Sequence, residues 1–416
     1  MMAAGYGKEC LSTFKSTRRS TLAAKLSIHY DYLKNMNKLG SDQVDATIIQ
    51  PWLCVASMAF TSLFPREKEL CDSVFADPDV GEAMFAAIIN DHAMGLLAIA
   101  EAAVARARRA SERLFRVLDI HDTLAAIEGE IISLFNNTTT KGLPLPLPPP
   151  ADHEVMVATH ASLVIGKAAE VAGATLAGFE TTILHKEASS KGSATAGGGV
   201  HQLTQYVMNY LIFLADYQEH QLVEGIRAWI WRLVSSLLSK LESKAGSYKE
   251  AALSYLFLAN NTHYVAKKVR GSSKIHVILG EDWAEAQSVK ARGHVQVYTR
   301  AVWGKVISST MMTVESKAGG AGVVQTGGLV MEAVQVQDQW MAADEEMGKV
   351  LRAAAMAAVI PKYRMFYRRH GAALSLTPGD VNAMIAALFT NVLVPVSQEP
   401  NAVPHGISPE LPHLSS

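Results

Sequence analysis

An all-α chain, built as an elongated rod of stacked antiparallel helical bundles, is what this sequence predicts, and three observations predict it. Ala, Leu and Met are plentiful while aromatic residues make up 7% of the chain. Strand-like alternation of Val, Ile and Thr is hard to find, whereas apolar residues recur at helical spacing over long stretches. A chain of 416 residues can bury a sizeable core, yet no repeat of fixed period occurs. Consecutive bundles follow, because each helix pair must bury its apolar stripe against neighbours.

Residues 1–135 read as a first helical bundle. Asp77-Pro78-Asp79 breaks it, and Ser111 supplies the N-cap of a helix that continues through Asp119. A proline-rich linker, 136–152, follows; its prolines lack a backbone donor and favour extended chain. A helix ending at His185 opens a central bundle, 153–318. Glu187 to Gly199, rich in Ser, Gly and Ala, predicts a mobile loop. The longest helical stretch then runs from Gln202 to Leu241 with a break near Tyr217. Val207, Tyr210, Leu211 and Leu214 form its first apolar face. Gly246 separates it from a helix reaching Arg270. The glycines of 319–328 predict a loop, 329–391 a C-terminal bundle whose long helix ends near His370, and 392–416 a disordered tail.

The charge balance, 38 basic against 39 acidic residues for a net charge of -1, excludes a chain that neutralises nucleic acid over its whole surface. Any electrostatic partner must meet a local patch. Cys10, Cys54 and Cys71 fit neither a metal-ligand spacing nor a disulfide framework, which points to a reducing compartment. No signal core is seen, and no uninterrupted apolar run approaches the ~20 residues of a membrane span. The expected location is the cytosol, with the sequons at Asn136 and Asn260 unglycosylated.

Catalytic signatures are missing: no His-Glu-x-x-His, no phosphate-binding lysine loop, no nucleophile elbow. The glycines of 319–328 lack the preceding strand and the lysine that phosphate binding needs. No catalytic, cofactor-binding or metal-binding residue is assigned, and an enzyme is not expected. Asn260 and Asn261 sit in the middle of a predicted helix, where asparagine has weak propensity, so a tertiary partner must compensate. The expected partner is a neighbouring helix, with one amide fixing register, since a buried polar group is costly unless paired. Lys267, Lys268, Arg270 and Lys274 straddle a helix end, where cations complement the dipole. In the segment from Pro361 to His370, Tyr363, Phe366 and Tyr367 share one face, while Lys362, Arg364, Arg368 and Arg369 supply charge with no acidic neighbour. Two readings of this segment stand: a core helix with a solvated polar face, or a docking patch for anionic phospholipid.

Five strings, in order, resemble hallmark segments of the exocyst 70-kDa subunit family in its plant form. They run from Met2 to Cys10, Glu112 to Asp122, Gly199 to Tyr217, Phe257 to Tyr264 and Leu279 to Trp283; Val359 to Arg369, Thr377 to Asp380 and Leu388-Phe389 resemble the family's closing helices. The resemblance implies a non-catalytic rod of helical bundles that tethers secretory vesicles to the plasma membrane in exocytosis, without cofactors. The partners it implies are other exocyst subunits, small GTPases and the phosphatidylinositol bisphosphate of the plasma membrane. Lys362, Arg364, Arg368 and Arg369 are the lipid contacts it implies here, because Gly371 to Leu376 lacks the lysines the family often carries. Gln202 and Gln205 also depart from the family's usual proline and basic residue. The string at Met2 to Cys10 lies well inside the chain in the family, so a coiled coil and first bundle are expected to precede this point in relatives. A diverged paralogue outside the exocyst, serving as a protein-interaction scaffold in plant immunity, is the alternative.

Overall fold

The computed structural model describes residues 7–30, 49–107, 113–135, 153–185, 195–217, 223–315, 321–371 and 374–390, and every regular element among them is helical. Ser111, the proline-rich stretch 136–152 and the tail after residue 391 lie outside the described residues. Two compact units divide the chain, one drawn from Met1–Phe179 and the other from Glu180–Glu219 and Val223–Glu399.

In the first unit, α1 (Gly7–Tyr30) is followed by α2 (Gln50–Met58), which passes through a π-helical turn, Ala59–Leu63, into α3 (Phe64–Val74). Pro65 explains the turn: without an N–H it cannot complete the α-helical ladder, and one widened turn just ahead of it absorbs the defect. Phe60 and Phe64 are both fully buried and meet edge to face at 5.1 Å. α4 (Pro78–Arg106) starts where Asp77 accepts a hydrogen bond from the Asp79 N–H, with Pro78 in the first turn. The Trp52 indole donates to the Leu96 carbonyl at 3.0 Å, tying α2 to α4. Arg18 holds the buried Glu67 through both carboxylate oxygens. α5 (Leu114–Phe135) and α6 (His153–His185) complete the described helices. Ser162 of α6 donates to Glu128 of α5, and Lys167 to Glu101 of α4, so the early turns of α6 belong to this unit.

Along the chain the first unit gives way to the second inside α6, at Phe179 and Glu180. Two helices depart from the expectation about membrane length. Pro78–Arg106 and Val157–His185 are long and apolar enough to cross a bilayer by length and composition, and 56% of the α4 window is buried inside the protein. Both carry runs of alanine and glycine with few charges, which a search for uninterrupted apolar runs passes over.

The second unit opens with the last turns of α6, where Ser236 donates to Glu180 and Lys240 to the Leu184 carbonyl. A 3₁₀ turn (Ala196–Gly198), α7 (Gln202–Leu214), a second 3₁₀ turn (Ala215–Tyr217) and α8 (Val223–Ala245) follow, so the helical stretch breaks near Tyr217. Then come α9 (Ala251–Gly271), α10 (Ser273–Leu279), α11 (Glu281–Glu315), α12 (Ala321–Val336), α13 (Glu345–His370) and α14 (Pro378–Ala387). α9 packs along α11, α11 against α12 and α13, and α14 against α13. Their shared core holds Leu256, Tyr298, Trp303, Val330, Leu351, Tyr363 and Ile385. α12 is a correction, because the glycines expected to form a loop at 319–328 lie largely within it. Thr326 and Val330 are fully buried there, and such packing outweighs the ~1 kcal/mol that each helical glycine costs.

Candidate functional site

The two asparagines of α9 organise the centre of the second unit. Asn260 Nδ2 donates to the carbonyls of Gly198 and Met341 at 2.7 and 2.8 Å, and its Oδ1 accepts from the Ala343 N–H at 2.9 Å. Asn261 Oδ1 accepts from the His201 N–H at 2.9 Å and from Thr204 Oγ1 at 2.7 Å. Its Nδ2 donates to the carbonyls of Gly199 and Phe257 at 3.2 and 2.8 Å. Both side chains are fully buried. Six of these seven bonds leave α9, and they reach the segment 198–204 and the turn before α13; the main partners are loop backbone, where a neighbouring helix was expected.

The loop they hold is itself tightly bent. Gly197 and Gly198 have φ of 68° and 70°, the left-handed region that glycine enters without penalty. A Cβ on Gly197 would stand 2.4 Å from the Gln339 carbonyl oxygen. The Met341 N–H donates to the Gly197 carbonyl at 2.8 Å, and the Tyr248 hydroxyl to that of Thr195 at 3.1 Å. Residues 195–199, the end of the segment expected to be mobile, are thus fixed. His201 Nδ1 accepts from the Leu203 N–H at the start of α7, and burial, reinforced by Lys240, pushes the imidazole below its ordinary pKa. Both Oδ1 and both Nδ2 atoms are engaged, so the two amides position chain and have no free group for chemistry.

Beside it, Asp344 caps α13 by accepting from the Met347 N–H at 2.8 Å. Lys267 lies 2.6 Å from Asp344 and 3.5 Å from Glu346, and His263 Nε2 lies 3.2 Å from Asp344. The ligand atoms of His263, Asp344 and Glu346 come within 4.8 Å of one another. The lysine ammonium bridges both carboxylates and supplies the positive charge there. The other cations near the end of α9 are likewise engaged: Lys268 with Asn209, Arg270 with Glu281 and Glu285, and Lys274 with Asp216. Side-chain partners, more than the helix dipole, account for this cluster.

The last turns of α13 differ. Tyr363 and Phe366 are fully buried, and the Tyr363 hydroxyl donates to the Leu376 carbonyl at 3.0 Å. Arg364, Arg368 and Arg369 are exposed and Lys362 is half-buried, and none of the four is paired with a described carboxylate. On a helix that turns about 100° per residue, Arg364 and Arg368 lie one turn apart on one flank, and Lys362 and Arg369 lie two turns apart on the other. The structure thus gathers these four sequence-predicted residues on one outward face. It does not bring them to Asn260 and Asn261, whose partners precede the opposite end of α13, about 25–36 Å away along the helix at 1.5 Å per residue.

Comparison with known proteins places this architecture. The family described as the C-terminal part of the Exo70 exocyst complex subunit matches residues 50–233 and 224–387. The chain is 28% identical to exocyst complex component EXO70A1 of Arabidopsis thaliana, over 89% of this chain and 60% of that protein. It is 28% identical to EXO70C2 of the same plant, over 94% of this chain and 59% of the relative. The chain thus spans about three-fifths of the length of the curated relatives it matches. The solved structure of S. cerevisiae Exo70 shares the fold, with a TM-score of 0.56 at 12% identity over 92% of this chain and 77% of that one. The chain belongs to the Exo70 family of exocyst proteins, a family without catalytic activity.

Proposed function

We propose that this chain acts as an exocyst subunit in the tethering of secretory vesicles to the plasma membrane, a peripheral protein of the cytosol that meets other exocyst subunits and an anionic phosphoinositide surface. Family membership supports the exocyst role. The outward face of α13 supports the lipid role, and one observation carries it: Lys362, Arg364, Arg368 and Arg369 have no carboxylate partner among the described residues, while the basic residues at the end of α9 all have partners. Each basic residue at an anionic surface contributes about 1 kcal/mol, so four give about 4 kcal/mol, a contact of roughly millimolar strength. Stable residence at the membrane then requires an assembled complex or further contacts.

Two experiments test the proposal. Changing Lys362, Arg364, Arg368 and Arg369 together to glutamate abolishes co-sedimentation with phosphoinositide-containing vesicles and leaves the helical circular-dichroism signal intact; unchanged sedimentation would remove the lipid assignment. Affinity purification of the tagged chain from plant cells recovers the other exocyst subunits near stoichiometric amounts. Their absence beside reproducible other partners would replace tethering with a scaffold role outside the complex.

A further inference from the structure

The cations of α13 frame an apolar side chain. Met365 is 58% exposed and lies between the two basic flanks, with Arg364 and Arg368 on one side and Lys362 and Arg369 on the other. The opposite side of these turns is already packed, with Tyr363 and Phe366 fully buried, so the fold gains little from Met365. An anionic surface that engages both flanks at once must come against the methionine between them. Methionine suits such a contact, being unbranched and adaptable. Interfacial helices share the same layout, with apolar side chains at the acyl boundary and cations at headgroup level.

We propose that Met365 is an apolar anchor that enters the interface of an anionic bilayer while the four cations hold the headgroups around it. The inference rests on the lipid reading of the same face and names the occupant as a bilayer. A soluble inositol phosphate would satisfy the cations and leave Met365 in water, whereas a bilayer complements both the charge and the apolar centre.

The test is vesicle affinity for phosphoinositide-containing bilayers at low and high salt, with binding of a soluble inositol phosphate as a second readout. Met365→Ser weakens vesicle binding about fivefold, the loss expected for roughly half of a methionine's burial, and by the same factor at both salt concentrations. It leaves inositol phosphate binding unchanged. Met365→Trp tightens vesicle binding, and Val289→Ser, at another exposed apolar position (54%), changes neither readout. Wild-type vesicle affinity in Met365→Ser, alongside loss of binding in the four-cation variant, would overturn the anchor and leave a purely electrostatic contact. Failure of the wild-type chain to bind vesicles at all would overturn the anchor together with the lipid reading.

Discussion

At the scale of the residue, the second unit depends on a few positions that tolerate little change. Gly197→Ala combines a left-handed backbone with a Cβ 2.4 Å from a carbonyl oxygen, and we expect a loss of about 2 kcal/mol or more in denaturant unfolding. Gly293→Ala, with open space around a helical glycine of α11, is expected to gain about 0.5–1 kcal/mol in the same assay. Asn260→Ala leaves the buried Gly198 carbonyl and the half-buried Met341 carbonyl and Ala343 N–H without their partner and is expected to cost about 2 kcal/mol or more. Asn260→Asp is no rescue, because it sets a second acceptor against both carbonyls. Cys71 gives a chemical check: burial, with Glu67 and Asp72 nearby, pushes its thiol up to about 11. A thiol reagent at neutral pH should therefore modify the exposed Cys54 and spare Cys71 in the folded chain. The asparagines stood out in the sequence because they oppose helix propensity. Their partners did not, since Gly198, Met341 and Ala343 lie 62, 81 and 83 residues away.

At the scale of the element, α13 shows how a helix is started by one contact set and finished by another. Its cap, Asp344, is pushed up by burial, but the Lys267 ammonium, the Met347 N–H and His263 outweigh that, and the net pKa lies below the ordinary carboxylate value. A depressed folded pKa contributes stability that is fully present above the unfolded value, about 3.9 for Asp, and is lost as pH falls through the folded one. Acid unfolding should thus lose part of its slope below about pH 4 in Asp344→Asn. Near neutral pH that variant should cost about 1 kcal/mol, since a neutral cap remains but the ion pair is gone. Other starts rest on local contacts as well: Asp77, read from the sequence as a break, caps α4, and Thr377 with Asp380 forms a reciprocal capping box at α14. α12 was not legible, because its glycines argue for a loop and only the burial of Thr326 and Val330 argues for a helix.

At the scale of the whole molecule, a net charge of -1 gives little long-range attraction to an anionic membrane, so the α13 face must act locally. Vesicle binding should consequently fall steeply as the screening length shortens from about 10 Å at 0.1 M salt to about 3 Å at 1 M, leaving a residual that Met365→Ser weakens about fivefold, the same factor as at low salt. Vesicle sedimentation across a salt series measures both parts. A flat salt response would contradict the role given to the four cations.

What the sequence by itself determined was the helical class, the family and the candidate basic residues, because periodicity and motif strings are local and survive without coordinates. Only the tertiary structure decided which polar groups are paired. It gave Lys267, Arg270 and Lys274 their carboxylates and left Lys362, Arg364, Arg368 and Arg369 without any among the described residues. It also placed the boundary between compact units inside α6, and it fixed the glycine turn at 195–199 through α9. The reason is physical: pairing and packing join groups far apart along the chain, and spacing in a sequence carries no record of which distant groups fold to meet.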